Sequence, residues 1–165
     1  MDYPACLFES DYVYWQQRVL ASYQRYFGVP LMTDEMGCDA VRCLFDAEFV
    51  LLSHRLADDP VFNYGNRAAL SLFEFDWQGL TALPSRCSAE PVSRDERAAL
   101  LARVARDGFI DDYSGVRISK KGKRFKIVGA KVWNVTDELD VCIGQAATFD
   151  TWQMCASADI DAAAV

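Results

Sequence analysis

The sequence predicts an α+β domain in which helices pack against a mostly antiparallel sheet. Three observations predict it. Apolar residues recur at steps of three or four between positions 12 and 27, the spacing of a helical face. A second long helix is signalled near residues 93–107 and stopped by Gly108. Strand-patterned segments stand on both sides of it, two short ones before and a three-strand meander after.

Each element has a local reason. Tyr12, Trp15, Val19, Tyr23 and Phe27 form the first stripe, and Gly28 and Pro30 end it. A shorter helix is expected from Asp34 to Phe45, capped by Thr33 or Asp34. Phe49–Leu52 reads as a strand, Asp58-Asp59-Pro60 as a turn, and Val61–Tyr64 as a second strand. Asn66 caps a short helix through Phe73, and residues 75–91 mix helical turns with Pro84 and Pro91. Ser93-Arg94-Asp95-Glu96 has the form of a capping box, in which hydroxyl and carboxylate each satisfy a free backbone donor. The meander is expected as Tyr113–Ser119, Phe125–Val135 and Val141–Phe149, with turns at Lys120–Lys123 and Asp137–Asp140. Strict alternation would put Trp133 on one face with Phe125 and Ile127.

Composition narrows the function. The 165 residues suit one domain. Lys+Arg number 17 against 24 Asp+Glu, a net charge of −7, which argues against a nucleic-acid partner. No stretch approaches the roughly 18–20 apolar residues of a membrane span. The N-terminus shows no signal peptide, and the six cysteines form no CxxC pair. They are read as reduced thiols, placing the protein in the cytoplasm. One histidine, His54, leaves no basis for a histidine metal centre, so no metal is expected.

Long segments in order resemble the MEKHLA domain family. They include Asp59-Pro60-Val61-Phe62-Asn63-Tyr64-Gly65-Asn66-Arg67-Ala68-Ala69-Leu70, Leu83-Pro84-Ser85-Arg86, Ser88-Ala89-Glu90-Pro91 and Gly108-Phe109-Ile110-Asp111-Asp112-Tyr113-Ser114-Gly115-Val116-Arg117. Val132-Trp133-Asn134 and Gly144-Gln145-Ala146-Ala147-Thr148-Phe149 continue the likeness, which spans residues 12–152. That family is PAS-like, and occurs alone in bacteria and algae and at the C-terminus of plant class III homeodomain–leucine-zipper factors. The resemblance implies a five-stranded antiparallel sheet with helices on one face. Residues 34–153 would form this core, 1–33 an N-terminal helical extension and 154–165 a frayed tail. It also implies a regulatory or sensory module without a defined ligand.

Candidate chemistry is sparse. Cys87 stands where the light-sensing LOV branch of PAS places its flavin-reactive cysteine. That branch follows its cysteine with Arg-Phe-Leu-Gln, whereas Ser88-Ala89-Glu90-Pro91 follows here. By the same counting Val128 and Ala146 occupy the places of the flavin-binding amides, and Gln145 would face away. Flavin is therefore disfavoured. Haem is too, because Arg94–Asp107 contains no histidine. His54 is read as structural. Asp111 and Asp112 point to opposite strand faces and do not converge; a solvated turn, or a bond from one of them to Arg117, is expected. The Lys120–Lys126 cluster is read as a solvated hairpin tip.

No nucleophile elbow, P-loop, GxGxxG or HExxH is present, so no catalytic residue is assigned. The expected function is a non-enzymatic regulatory domain that binds a small ligand or self-associates. Its pocket is placed at Phe62, Tyr64, Leu83, Cys87, Val128 and Ala146. A homodimer face is placed on Tyr12, Trp15, Val19, Tyr23 and Phe27. A pure interaction module with a filled core, and a flavin or redox receptor using Cys87, are the alternatives.

Overall fold

The predicted leading stripe becomes helix α1, Ser10–Phe27, ended by Gly28 in the left-handed conformation at φ 75°. The structure is a computed structural model that describes residues 2–33 and 39–156 and, of residues 91–93, the backbone alone. Helix α2 spans Ala40–Asp46 and is capped by the Asp39 carboxylate, which accepts from Val41 N. The expected helix over 34–45 thus starts later among the described residues, and positions 34–38 lie outside them. Strands β1 (Val50–Arg55) and β2 (Phe62–Gly65) follow.

Asn66 holds the next junction. It is fully buried, and its side-chain oxygen accepts from Ala69 N at 3.1 Å and Leu51 N at 3.0 Å. Its Nδ2 donates to Phe49 O at 2.7 Å. One side chain therefore caps α3 (Arg67–Phe73) and fastens it to the start of β1. Helix α4 (Trp77–Leu80) and a 3-10 turn at Ser85–Ser88 lead to α5, Pro91–Asp107.

Helix α5 corrects the expected capping box. It begins two residues before Ser93, with Glu90 at the N-cap and Pro91 in the first turn. Proline lacks the donor that this position leaves unused, and its φ is already helical, so it outcompetes the later start. Strands β3 (Phe109–Ile118), β4 (Arg124–Thr136), β5 (Cys142–Phe149) and β6 (Thr151–Met154) complete the chain. The first of these begins earlier than expected, and the last was not foreseen.

All pairings between strands are antiparallel, in the order β2-β1-β5-β4-β3. Strand β6 also pairs with β4 and continues the register of β5: Lys131 faces Thr148 and Val128 faces Thr151. The five-stranded sheet expected from the sequence is therefore present, with its last strand prolonged beyond Asp150.

The two faces carry separate cores. Val50, Leu52, Phe62, Ala69, Phe73, Ile127 and Phe149 pack together under α3 and α4. Leu51, Tyr64, Trp133, Val135 and Ala146 pack with Trp15, Val19 and Tyr23 of α1 on the opposite face. Trp133 therefore does not share a face with Phe125 and Ile127. Those two cluster instead with Ala130, three positions on from Ile127. The alternation breaks at Gly129, whose φ of 63° suits a residue without a Cβ.

Helix α1 is consumed by its own sheet. Trp15, Val19 and Tyr23 are buried, and Tyr12 and Phe27 pack against the same cluster. Trp15 Nε1 donates to Ser53 Oγ at 2.9 Å, and Lys131 Nζ donates to the Tyr23 hydroxyl at 2.9 Å. The expected homodimer face on Tyr12, Trp15, Val19, Tyr23 and Phe27 is corrected accordingly: these side chains already cover this chain's sheet. Burying each large apolar one stabilises the fold by roughly 1.5–3 kcal/mol.

Candidate functional site

The face opposite α1 encloses a cavity of about 60 Å³ between the central strands and α5. Most of its wall is apolar, with Leu52, Phe62, Phe73, Ile127, Val132 and Phe149 among the contributors. Seven residues with polar side chains break that pattern: Ser53, His54, Ser88, Arg97, Tyr113, Arg117 and Gln145.

Local structure aims each of them. His54 and Leu52 alternate on β1 and share the inner face. On β5, Gln145, Ala147 and Phe149 do the same; Gln145 pairs with Asn134 of β4. Gln145 Nε2 donates to Leu101 O of α5 at 3.2 Å and to Asn134 Oδ1 at 3.3 Å. Arg97 lies three and seven residues before Leu100 and Val104, so all three share the buried face of α5. On β3, Arg117 pairs with Phe125, whose side chain belongs to the inner core.

Electrostatics sharpen the picture. Arg97 is 9% exposed and Arg117 7%. Burial pushes the Arg97 pKa down to about 10, and the neighbouring Arg117 charge adds to that. The Arg97 guanidinium still carries its charge at neutral pH. Arg117 Nη1 donates to Val116 O at 2.9 Å, and its guanidinium lies 5.2 Å from the Tyr113 ring centroid. The expected bond from Asp111 or Asp112 to Arg117 does not form, because Arg117 faces the cavity. Burial also lowers the His54 pKa; a bond to the Arg55 carbonyl opposes that shift and the Arg97 charge reinforces it. His54 Nδ1 donates to Arg55 O at 3.0 Å, which leaves Nε2 unprotonated in the neutral ring.

The structure separates the residues picked from the sequence. Phe62 lines the cavity. Ala146 reaches its wall, but packs in the α1-side cluster with Tyr64. The Tyr64 hydroxyl is buried without a partner, and burial raises its pKa. Leu83 packs beside the inner core, while Leu83, Cys87 and Val128 all lie outside the cavity wall. Gln145 faces inward where Ala146 was expected, a shift of one residue and hence of one face. Arg97 and Arg117 were missed. An arginine in register with Leu100 and Val104 was the available signal.

A flavin does not fit this site. Ligand cavities commonly reach roughly 300–1,000 Å³, against about 60 Å³ here. The amides of Gln145 and Asn134 are engaged with each other and with α5. Cys87 points elsewhere, its sulfur accepting from Arg86 Nη1 at 3.7 Å. The thiols themselves differ from expectation: Cys6, Cys87, Cys142 and Cys155 are free, but Cys43 is disulfide-bonded, and Cys38 lies outside the described residues. Among the described residues no group of three His, Cys, Asp or Glu side chains could hold a metal, and no helix is long and apolar enough to cross a membrane.

This strand order, with α3–α5 over one face and α1 over the other, is that of a PAS-type fold. It resembles the PAS domain of a Colwellia psychrerythraea protein at TM-score 0.56 and 11% identity, covering 69% of this chain and 92% of that one. It also resembles the light-state dimer structure of the fungal blue-light photoreceptor Vivid, at TM-score 0.57 and 14% identity, covering 94% and 99%. At such identities the likeness is one of fold.

Residues 13–154 match the MEKHLA domain, and the chain belongs to that family. It is 26% identical over 122 residues to the homeobox-leucine zipper protein REVOLUTA of Arabidopsis thaliana. That match takes in 72% of this chain but 14% of the plant protein, so the likeness concerns one domain of a much longer chain.

Proposed function

We propose that this domain is a non-catalytic regulatory sensor that binds a small molecule between the inner sheet face and α3–α5. The observation that carries the reading is the cavity itself: an apolar interior interrupted by His54, Arg97, Arg117 and Gln145. Polar groups converging in an apolar pocket are the usual form of a ligand site.

The output runs through the sheet. Leu52, Ser53 and His54 all belong to the cavity wall, and the Ser53 hydroxyl also accepts from Trp15 of α1. Arg18 of α1 donates to Thr136 O at 2.7 Å and Asp137 O at 3.0 Å, just beyond Asn134. A ligand that shifts β1, β4 or β5 changes the seat of α1, favouring one arrangement over another. Self-association with a nearly filled core is the second reading, and the small size of the cavity favours it.

Native mass spectrometry of freshly purified protein, with its absorption spectrum, tests the first reading. The expected result is a bound small molecule without flavin absorption, or a library compound that raises Tm and slows hydrogen exchange in α1. A bare protein whose Tm no compound moves would overturn it.

A further inference from the structure

Two charges in the cavity lack counterparts. Arg97 and Arg117 are each at least nine-tenths buried and both line it, yet neither forms an ion pair among the described residues. No aspartate or glutamate among the described residues belongs to the wall. Arg97 has no hydrogen bond to any described residue, and Arg117 has the one to Val116 O. A guanidinium carries five N–H donors, so most of theirs are unspent within the protein.

The surrounding chain makes this unusual. The protein as a whole carries net charge −7, and other arginines find carboxylates readily, as Arg86 does with Asp59 and Arg106 with Asp107. Holding two like charges in a largely buried position without a carboxylate is unfavourable. The nearest titratable neighbours do not relieve it: His54 is held neutral, and Tyr113 offers its ring face.

We infer that the cavity between β1, β3–β5 and α5 is a site for a small organic anion, whose carboxylate is bound by Arg97 and Arg117. The inference rests on the proposed reading of the cavity as a ligand site and names the ligand's class. Guanidiniums present paired donors that match the two oxygens of a carboxylate. The neighbouring wall, with Leu52, Phe62 and Val132, suits a short apolar tail. The small volume favours an acid of a few carbons.

Propionate and its neutral isostere propionamide provide the test, read as Tm of the full chain at constant ionic strength. Propionate is expected to raise Tm along a saturating curve, and propionamide to leave it unchanged. Arg97→Met and Arg117→Met should each raise the half-saturating propionate concentration at least tenfold. They should also hold or raise Tm in buffer, since each removes an uncompensated buried charge. Arg103→Met, an exposed change on the same helix, should leave the response intact. Equal shifts from propionate and propionamide would overturn the anion inference while leaving the cavity a ligand site. An unchanged propionate response in both cavity variants would overturn it too. If neither compound acts and both variants lose Tm, the arginines are structural and the anion inference falls. The ligand reading would then stand or fall on the library screen.

Discussion

Trp15 of α1 donates its indole N–H to Ser53 of β1 at 2.9 Å, and the Ser53 hydroxyl in turn donates to Asn63 Oδ1 at 2.8 Å. This relay crosses from the covering helix to the edge strand through the middle of a buried face. Trp15→Phe removes the donor and part of the ring but keeps the apolar seat. Ser53 retains its bond to Asn63. The expected cost is about 1–3 kcal/mol, measured by urea unfolding. Hydrogen exchange should rise over α1 more than over α3, because the lost bond anchors α1 alone.

Asn66 serves three backbone groups from two elements, with no water to take its place in a fully buried site. Asn66→Ala should therefore cost more than an ordinary helix cap, about 2–4 kcal/mol. Asn66→Asp keeps the acceptor for Ala69 N and Leu51 N but faces Phe49 O with an oxygen. It should recover only part of the loss in the same unfolding measurement.

Stability should depend on pH through His54. Its folded-state pKa lies below the ordinary 6.5, chiefly through burial. The unfolded chain therefore binds this proton more readily. The contribution is intact above pH 6.5 and is lost as pH falls from there toward the folded value. The charge that opposes protonation of the ring is that of Arg97 of α5. The lowered carboxylates of Asp46, Glu74, Asp107 and Glu138 act only below about pH 4.5. Unfolding free energy should decline between pH 6.5 and 5 by no more than about 1.4 kcal/mol per pH unit. His54→Gln should flatten that interval.

Features set by local chemistry could be read from the sequence. Asn66 announces its cap three residues ahead of the donor it satisfies, and Gly28 and Gly108 end their helices by adopting positive φ. The faces of β4 could not be read by alternation, because parity changes at Gly129 and nothing on either side of that residue signals it. The same one-residue ambiguity put Ala146 inward in place of Gln145. Val128 failed for the related reason that it precedes the break. Arg97 was legible in spacing but not in kind: its register with Leu100 and Val104 marks a buried position, whereas its charge argues for the surface. That conflict between pattern and residue type is itself the signature of a site.

Gln145, together with Asn134, links the sheet to α5, and its removal should loosen that helix selectively. Besides Leu100, Val104 and Arg97, α5 has no other buried anchor among its described side chains, so the bond from Gln145 Nε2 to Leu101 O carries a large share of its fixing. Gln145→Leu fills similar space but leaves Leu101 O and Asn134 Oδ1 without this donor. A cost of about 1–3 kcal/mol is expected, with faster hydrogen exchange concentrated in α5 and little change in α1. If α5 is the element that yields to admit a ligand, the same variant should speed ligand association more than it changes affinity. Equal acceleration of exchange in α1 and α5 would show instead that Gln145 supports the whole sheet and not the helix above it.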